Sequence, residues 1–250
     1  MKFQSIAWTL ALSMGVTCAN AVPIDVSETN GEDSLQTILD ELTVEGPSNV
    51  DVNADQQSPS QLWQHTDAGF SSNRYVAALA GYSDFTSFGI YDPVSPGNRY
   101  TLFDGSSASV GDQTQFGIDS NGDIYSAPGS NTGTTFSSTT FGFFLSVDNT
   151  DFGYTFFSQP ETHEGEQQMV AFNGDRSQKL NLPGFGGPAT WTQDGWVLGW
   201  EDVAYSDSDK DFNDLVVFVD DVNPVPEPGT LALLGLGLAG LGASSLRRKS

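Results

Sequence analysis

The amino-acid sequence predicts an all-β chain, a jelly-roll-like β-sandwich with one short N-terminal helix, and three observations carry that prediction. From about residue 62 onward, short apolar or aromatic runs alternate with clusters of glycine, asparagine, serine and proline, the texture of many short strands joined by turns. Seventeen phenylalanines, seven tyrosines and five tryptophans supply aromatic surface enough for one large core. The single cysteine, Cys18, falls in an N-terminal leader, so no disulfide is expected and the core or bound ions must hold the sheets.

In chain order, Lys2 precedes the apolar run Ile6 to Val16, and Ala19-Asn20-Ala21 forms a small-x-small cleavage site. Residues 1–21 therefore read as a signal peptide with Ala19 and Ala21 at its cleavage positions, and the mature chain begins at Val22. Gly15-Val16-Thr17 before Cys18 lacks the leucine of a lipoprotein signal. Residues 22–60 are acidic and poor in aromatics and read as a linker. Within it Ser34 caps a helix over 34–42, because Leu35, Ile38, Leu39 and Leu42 share one face. So short a helix is marginal in water and must dock, on its own domain by preference.

A sandwich domain is predicted over 61–222. Its candidate strands are 74–82, 86–91, 99–103, 113–118, 123–126, 139–147, 152–158, 168–172, 179–182 and the two that flank an acidic loop. Asp119-Ser120-Asn121-Gly122-Asp123 reads as a hairpin turn on its Asn-Gly step, with a weak ion site as the alternative. Neither histidine stands at zinc-motif spacing, and both His65 and His163 read as surface residues. No Gly-x-Ser-x-Gly motif and no phosphate loop is present.

The rest of the domain is organised around Trp196 to Val219. Trp196, Leu198 and Trp200 alternate on one face of a strand, Leu215 to Val219 form a second strand, and an acidic loop joins them. Glu201, Asp202, Asp207, Asp209, Asp211, Asn213 and Asp214 bring their oxygens to one rim. Carboxylates so close together either take up protons or share a cation. Hard oxygen donors without nearby Cys or His point to calcium, which takes roughly six to eight oxygens, rather than to zinc, copper or iron. In this assignment Glu201 supplies a bidentate carboxylate, and Asp202 fixes the hairpin through backbone hydrogen bonds. The competing reading is a solvated acidic turn. A plain turn, however, needs no Glu-Asp pair beside Trp200.

Val225-Pro226-Glu227-Pro228 then leads into an apolar anchor helix over 230–246 and the basic Arg247-Arg248-Lys249. That segment reaches roughly 25 Å against a bilayer core of roughly 30 Å, and its glycines make it a weak anchor. The basic end stays cytoplasmic, which leaves the domain outside. The chain has 9 basic and 32 acidic residues. Such a surface repels nucleic acid and meets acidic polysaccharide only through a cation.

The Pro-Glu-Pro motif, glycine-rich helix and arginine-rich end over 225–250 resemble the PEP-CTERM sorting signal of bacteria that make extracellular polysaccharide. The resemblance implies an exosortase as partner, removal of the tail, and release or transfer to the outer surface after transient anchoring in the inner membrane. Residues from about Ser34 to Val222 resemble the domain-of-unknown-function 4114 family. Ser87-Phe88-Gly89-Ile90-Tyr91-Asp92, Met169-Val170-Ala171-Phe172, Leu182-Pro183-Gly184-Phe185 and Trp200-Glu201-Asp202 with Asp209-Lys210-Asp211-Phe212-Asn213-Asp214 carry that likeness. It implies a β-rich exported domain whose acidic residues have prompted suggestions of enzymatic activity. Gln168 stands where members of the family often carry histidine.

Two functions follow. The first is a calcium-stabilised surface or matrix module associated with exopolysaccharide or biofilm. The second is a hydrolase acting on polysaccharide through two carboxyl groups, with Trp191, Trp196 and Trp200 along a sugar groove. Core packing is the preferred reading of Trp196 and Trp200, which alternate along their strand.

Overall fold

The computed structural model describes residues 24–27, 31–57, 62–66, 71–78, 83–148, 153–162 and 166–225. One α-helix, α1 (Leu35–Leu42), precedes the strands. These are β1 (Leu62–His65), β2 (Ser71–Ala78), β3 (Thr86–Asp92), β4 (Ser95–Asp104), β5 (Gln113–Ile118), β6 (Asp123–Ser126), β7 (Ser130–Thr135) and β8 (Gly142–Asp148). There follow β9 (Gly153–Phe157), β10 (Met169–Asn173), β11 (Lys179–Leu180), β12 (Ala189–Thr190), β13 (Trp196–Trp200), β14 (Leu215–Val219) and β15 (Val222–Val225).

Two antiparallel sheets face each other. The larger runs β10-β13-β14-β2-β5-β6-β7 and the smaller β4-β3-β8-β9. An eight-stranded jelly roll divides into two sheets of four, whereas this chain divides seven and four. Two short ribbons, β1-β15 and β11-β12, complete the described strands.

The core follows from period-two alternation. Phe88 and Ile90 of β3, Phe143 and Leu145 of β8 and Phe156 of β9 face Met169 and Ala171 of β10, Trp196, Leu198 and Trp200 of β13, and Leu215, Val217 and Val219 of β14. Trp63 of β1 joins them, its ring edge-on to Trp196 at 4.8 Å between centroids. The intervening residues of the same strands, Val170, Phe172, Val197, Val216 and Phe218, face outward into a second core. β10, β13 and β14 are thus covered on both sides, which explains their continuous apolar runs.

That second core is closed by the N-terminal segment. Ser34 caps α1 by accepting the Thr37 amide on Oγ (3.1 Å). Leu35, Ile38, Leu39 and Leu42 are buried in the same cluster as the outward residues of the large sheet. Each leucine buried there contributes about 2 kcal/mol, which offsets the poor intrinsic stability of an eight-residue helix. The stretch expected to be a linker is therefore packed where it is described, since Val26 and Val52 belong to the cluster as well. Acidic composition misled there, because a few well-spaced apolar residues suffice once a sheet face is available.

His65 departs from expectation. It lies between the rings of Phe116 (5.0 Å) and Phe141 (5.6 Å), and burial holds its imidazole down to about 4. The Asp119 turn is structural in form: Asp119 Oδ1 accepts the amides of Asn121 and Asp123. Among the described residues no helix is long and apolar enough to cross a membrane. Val225 pairs with Leu62 at the end of β15. His163, Ala19, Ala21, Pro226, Glu227, Pro228 and the expected anchor helix lie outside the described residues.

Candidate metal centre

β13 and β14 form the expected antiparallel hairpin, with Trp200 opposite Leu215. Residues 201–214 make the connection. The first strand ends where the Glu201 amide donates to the Gln168 carbonyl (3.0 Å), continuing the β10 ladder by one residue. Gln168 also steadies the loop's first turn: in the amide orientation that satisfies both neighbours, its side-chain nitrogen donates to the Val203 carbonyl (3.1 Å) and its oxygen accepts the Tyr205 amide (2.7 Å).

The loop then folds back over its own strand. Lys210 and Phe212 take left-handed φ values of 66° and 54°, uncommon for residues with a Cβ and costing roughly 1–2 kcal/mol each. Two contacts hold Phe212 in this conformation. Its ring is fully buried in the second core, and its amide donates to Glu201 Oε1 at 2.6 Å. Gly199 makes the close approach possible, because a Cβ at that position would lie 2.5 Å from the Phe212 carbonyl oxygen.

This folding brings one carboxylate oxygen from each of Glu201, Asp209 and Asp211 within 4.8 Å of one another. Glu201 and Asp211 are buried (0% and 1% exposed), while Asp209 reaches the group from the surface. Asn213, also 0% exposed, follows directly, its amide donating to Asp211 Oδ1 at 3.3 Å. Glu201 Oε2, Asp211 Oδ2, Asn213 Oδ1 and Asp202 Oδ2 are buried and have no hydrogen-bond partner among the described residues. The Ser208 hydroxyl is buried as well and has no hydrogen-bond partner among the described residues.

The remaining acidic residues take other places. Asp214 Oδ2 accepts the Asp202 amide at 2.9 Å, so Asp214 ties the hairpin and Asp202, expected in that role, does not. One oxygen of Glu201 is engaged by Phe212, so it is less free for bidentate binding than expected. Asp207 is exposed and stands outside the trio, its amide donating to the Ala204 carbonyl at 2.8 Å.

Electrostatics register the crowding. Burial pushes the Glu201 carboxyl up to about 7, with Asp214 and Asp211 adding to the rise. Asp202 goes up to about 8 by burial and then by its neighbour Asp214, and Asp211 to about 6 by burial and then by Asp209. Asp214 is raised as well, chiefly by burial. Glu32, in the N-terminal segment, adds to the rise at both Asp211 and Asp214. Near neutral pH the group is under electrostatic stress that a divalent cation would relieve. The three grouped atoms are hard carboxylate oxygens, the donor type that suits a calcium-like ion.

Gly199 and the N-terminal residues near the loop were not legible as site residues, and Gln168 drew notice only as the residue standing where the resembled family often carries histidine. Gly199 left a signal of its own, a glycine interrupting an otherwise apolar strand.

The fold and the site together define a class: an antiparallel β-sandwich with a helix-covered back face and a buried, oxygen-lined hairpin loop. Residues 111–221 match the family model described as Domain of unknown function (DUF4114), and residues 224–249 match the PEP-CTERM protein-sorting motif. The chain therefore carries a PEP-CTERM sorting motif, which marks an exported protein sorted by an exosortase, and over 111–221 it is similar to DUF4114 domains. The matched stretch begins just before β5, although α1, β1, β3 and β4 share the two cores with it. No curated protein and no solved structure matches the chain.

Proposed function

We propose that the chain is a calcium-stabilised β-sandwich module of the cell surface or extracellular matrix, working in association with exopolysaccharide or biofilm. In this reading residues 1–21 are the signal peptide and 230–246 anchor the chain in the inner membrane until the exosortase removes the tail. The observation that carries the calcium assignment is the set of buried, unpartnered oxygens on Glu201, Asp211 and Asn213. Each such group costs about 1–3 kcal/mol if left unsatisfied. One divalent ion would satisfy them together, with Asp209 closing the shell from the solvent side. The acidic surface, with a net charge of −23, favours a matrix in which cations bridge it to polysaccharide.

Calorimetric calcium titration of the chain tests this. Stoichiometric binding is expected, with loss of binding in Asp209→Ala and Asp211→Ala. Asp92→Ala serves as contrast, because Asp92 is buried like Asp211 but both its oxygens are engaged, Oδ2 by the Ser137 amide (2.8 Å) and hydroxyl (2.7 Å) and Oδ1 by the Val94 amide (3.0 Å). Equal behaviour of all three variants would sink the assignment.

The hydrolase alternative has one observation in its favour, the raised Glu201 carboxyl, which is the property of a general acid near neutral pH. Against it, Glu201 has no exposed surface, and Trp191, Trp196 and Trp200 are at most 3% exposed. A sugar in solution reaches none of them in this conformation. Turnover of the organism's own exopolysaccharide by the purified chain would revive the alternative.

A further inference from the structure

We infer that the ion-binding loop is a clasp for the N-terminal segment, with Asn213 as the joint between them; this deepens the calcium reading above and rests on it. The two stretches are far apart in sequence but cross-linked in space. Asn213 Nδ2 donates to the Asp33 carbonyl at 2.9 Å, and the Ser27 amide donates to the Lys210 carbonyl at 2.8 Å. Leu35, the first residue of α1, packs over Gly199 beside the Phe212 carbonyl. The Phe212 ring shares its cluster with Leu35 and Leu39.

Both hydrogen-bond partners on the loop depend on its wrapped conformation. Lys210 presents its carbonyl from a left-handed residue, and Asn213 lies two residues beyond the buried Asp211. Asn213 itself is divided: its Nδ2 holds the N-terminal segment, while its Oδ1 is fully buried and unpartnered within the acidic loop. An amide does both where a carboxylate could not, since only the amide carries a donor for the Asp33 carbonyl.

Without a cation the carboxylates of Glu201, Asp209 and Asp211, held within 4.8 Å of one another, repel. The loop then opens most easily by releasing the two cross-links, and α1 loses its register over the large sheet. With calcium bound, the repulsion becomes attraction and the segment is held. Calcium in this scheme governs whether the outward face bearing Val170, Phe172, Val197, Val216 and Phe218 is covered.

Hydrogen exchange of the full-length chain in calcium and in EDTA tests the clasp, with calorimetric titration alongside. Calcium is expected to slow exchange of the α1 amides of Ile38 and Thr43 at least about tenfold, while the amides of Ile90 and Leu145 in the small sheet change little. Ser27→Pro deletes the donor to the Lys210 carbonyl without touching the acidic group, and is expected to bind calcium stoichiometrically while losing much of the added protection of α1. Equal slowing in α1 and in the small sheet would overturn the clasp while leaving the calcium reading intact, as would full α1 protection in Ser27→Pro. Failure of the unaltered chain to bind calcium would remove both readings.

Discussion

Glu201→Gln is the perturbation that separates an ion site from an acidic turn, because its effect should change sign with calcium. The folded carboxyl of Glu201 is raised from the ordinary 4.5 to about 7, chiefly by burial. A carboxyl raised by folding stabilises the folded state through its protonated form. That contribution is full below about pH 4.5 and is lost as pH rises through about 7. At about 1.4 kcal/mol per pH unit, the ionised side chain costs the calcium-free protein about 3 kcal/mol at alkaline pH. Glutamine removes that cost, and its Oε1 can still accept the Phe212 amide. In EDTA at about pH 8.5 the variant should therefore melt higher than the wild type by roughly 6–12 °C, and by far less at about pH 5. In calcium the order reverses. The wild type gains about 4.1 kcal/mol at a thousandfold excess over Kd, which exceeds that cost of about 3 kcal/mol, whereas the variant lacks a buried ligand and gains little. The assay is four thermal melts per protein, two pH values with and without calcium. A variant that melts below the wild type in EDTA at alkaline pH and responds as strongly to calcium would refute the reasoning.

Two further outcomes follow from packing. Gly199→Ala places a methyl group against the Phe212 carbonyl and should displace the loop, costing about 1–3 kcal/mol and weakening calcium binding; a titration unchanged from wild type would show that the loop tolerates the shift. Leu39→Ala removes a fully buried side chain between α1 and the large sheet and should cost about 2–5 kcal/mol in denaturant melts, whereas a change below about 1 kcal/mol would mean that the helix contributes little to the domain.

Much of the fold was readable because period-two alternation survives in the chain without tertiary information. Trp196, Leu198 and Trp200 do share the inter-sheet core, and the hairpin around the acidic loop falls at the expected place. Two of the strands that escaped notice lack that pattern. β7 reads Ser-Asn-Thr-Gly-Thr-Thr, with no apolar residue at all, and lies at the edge of its sheet. β15 contains Pro224 and pairs only with β1 among the described strands.

For the site, the sequence by itself determined which atoms are available: hard oxygens, closely spaced, on a loop between two apolar strands. It also carried the export and sorting signature, because such signals are short, linear and read in order. Tertiary structure alone decided how those oxygens are shared out. It placed Glu201, Asp209 and Asp211 together, left Asp207 in solvent, and set Asp214 rather than Asp202 to tie the turn. It alone brought Ser27 and Asp33 to the loop, across about 180 residues in each case. The physical reason is that spacing along a chain fixes side-chain alternation only where the backbone is regular. In a loop that reverses through two left-handed residues, direction is set by what the loop packs against, here Gly199 and the buried face of α1.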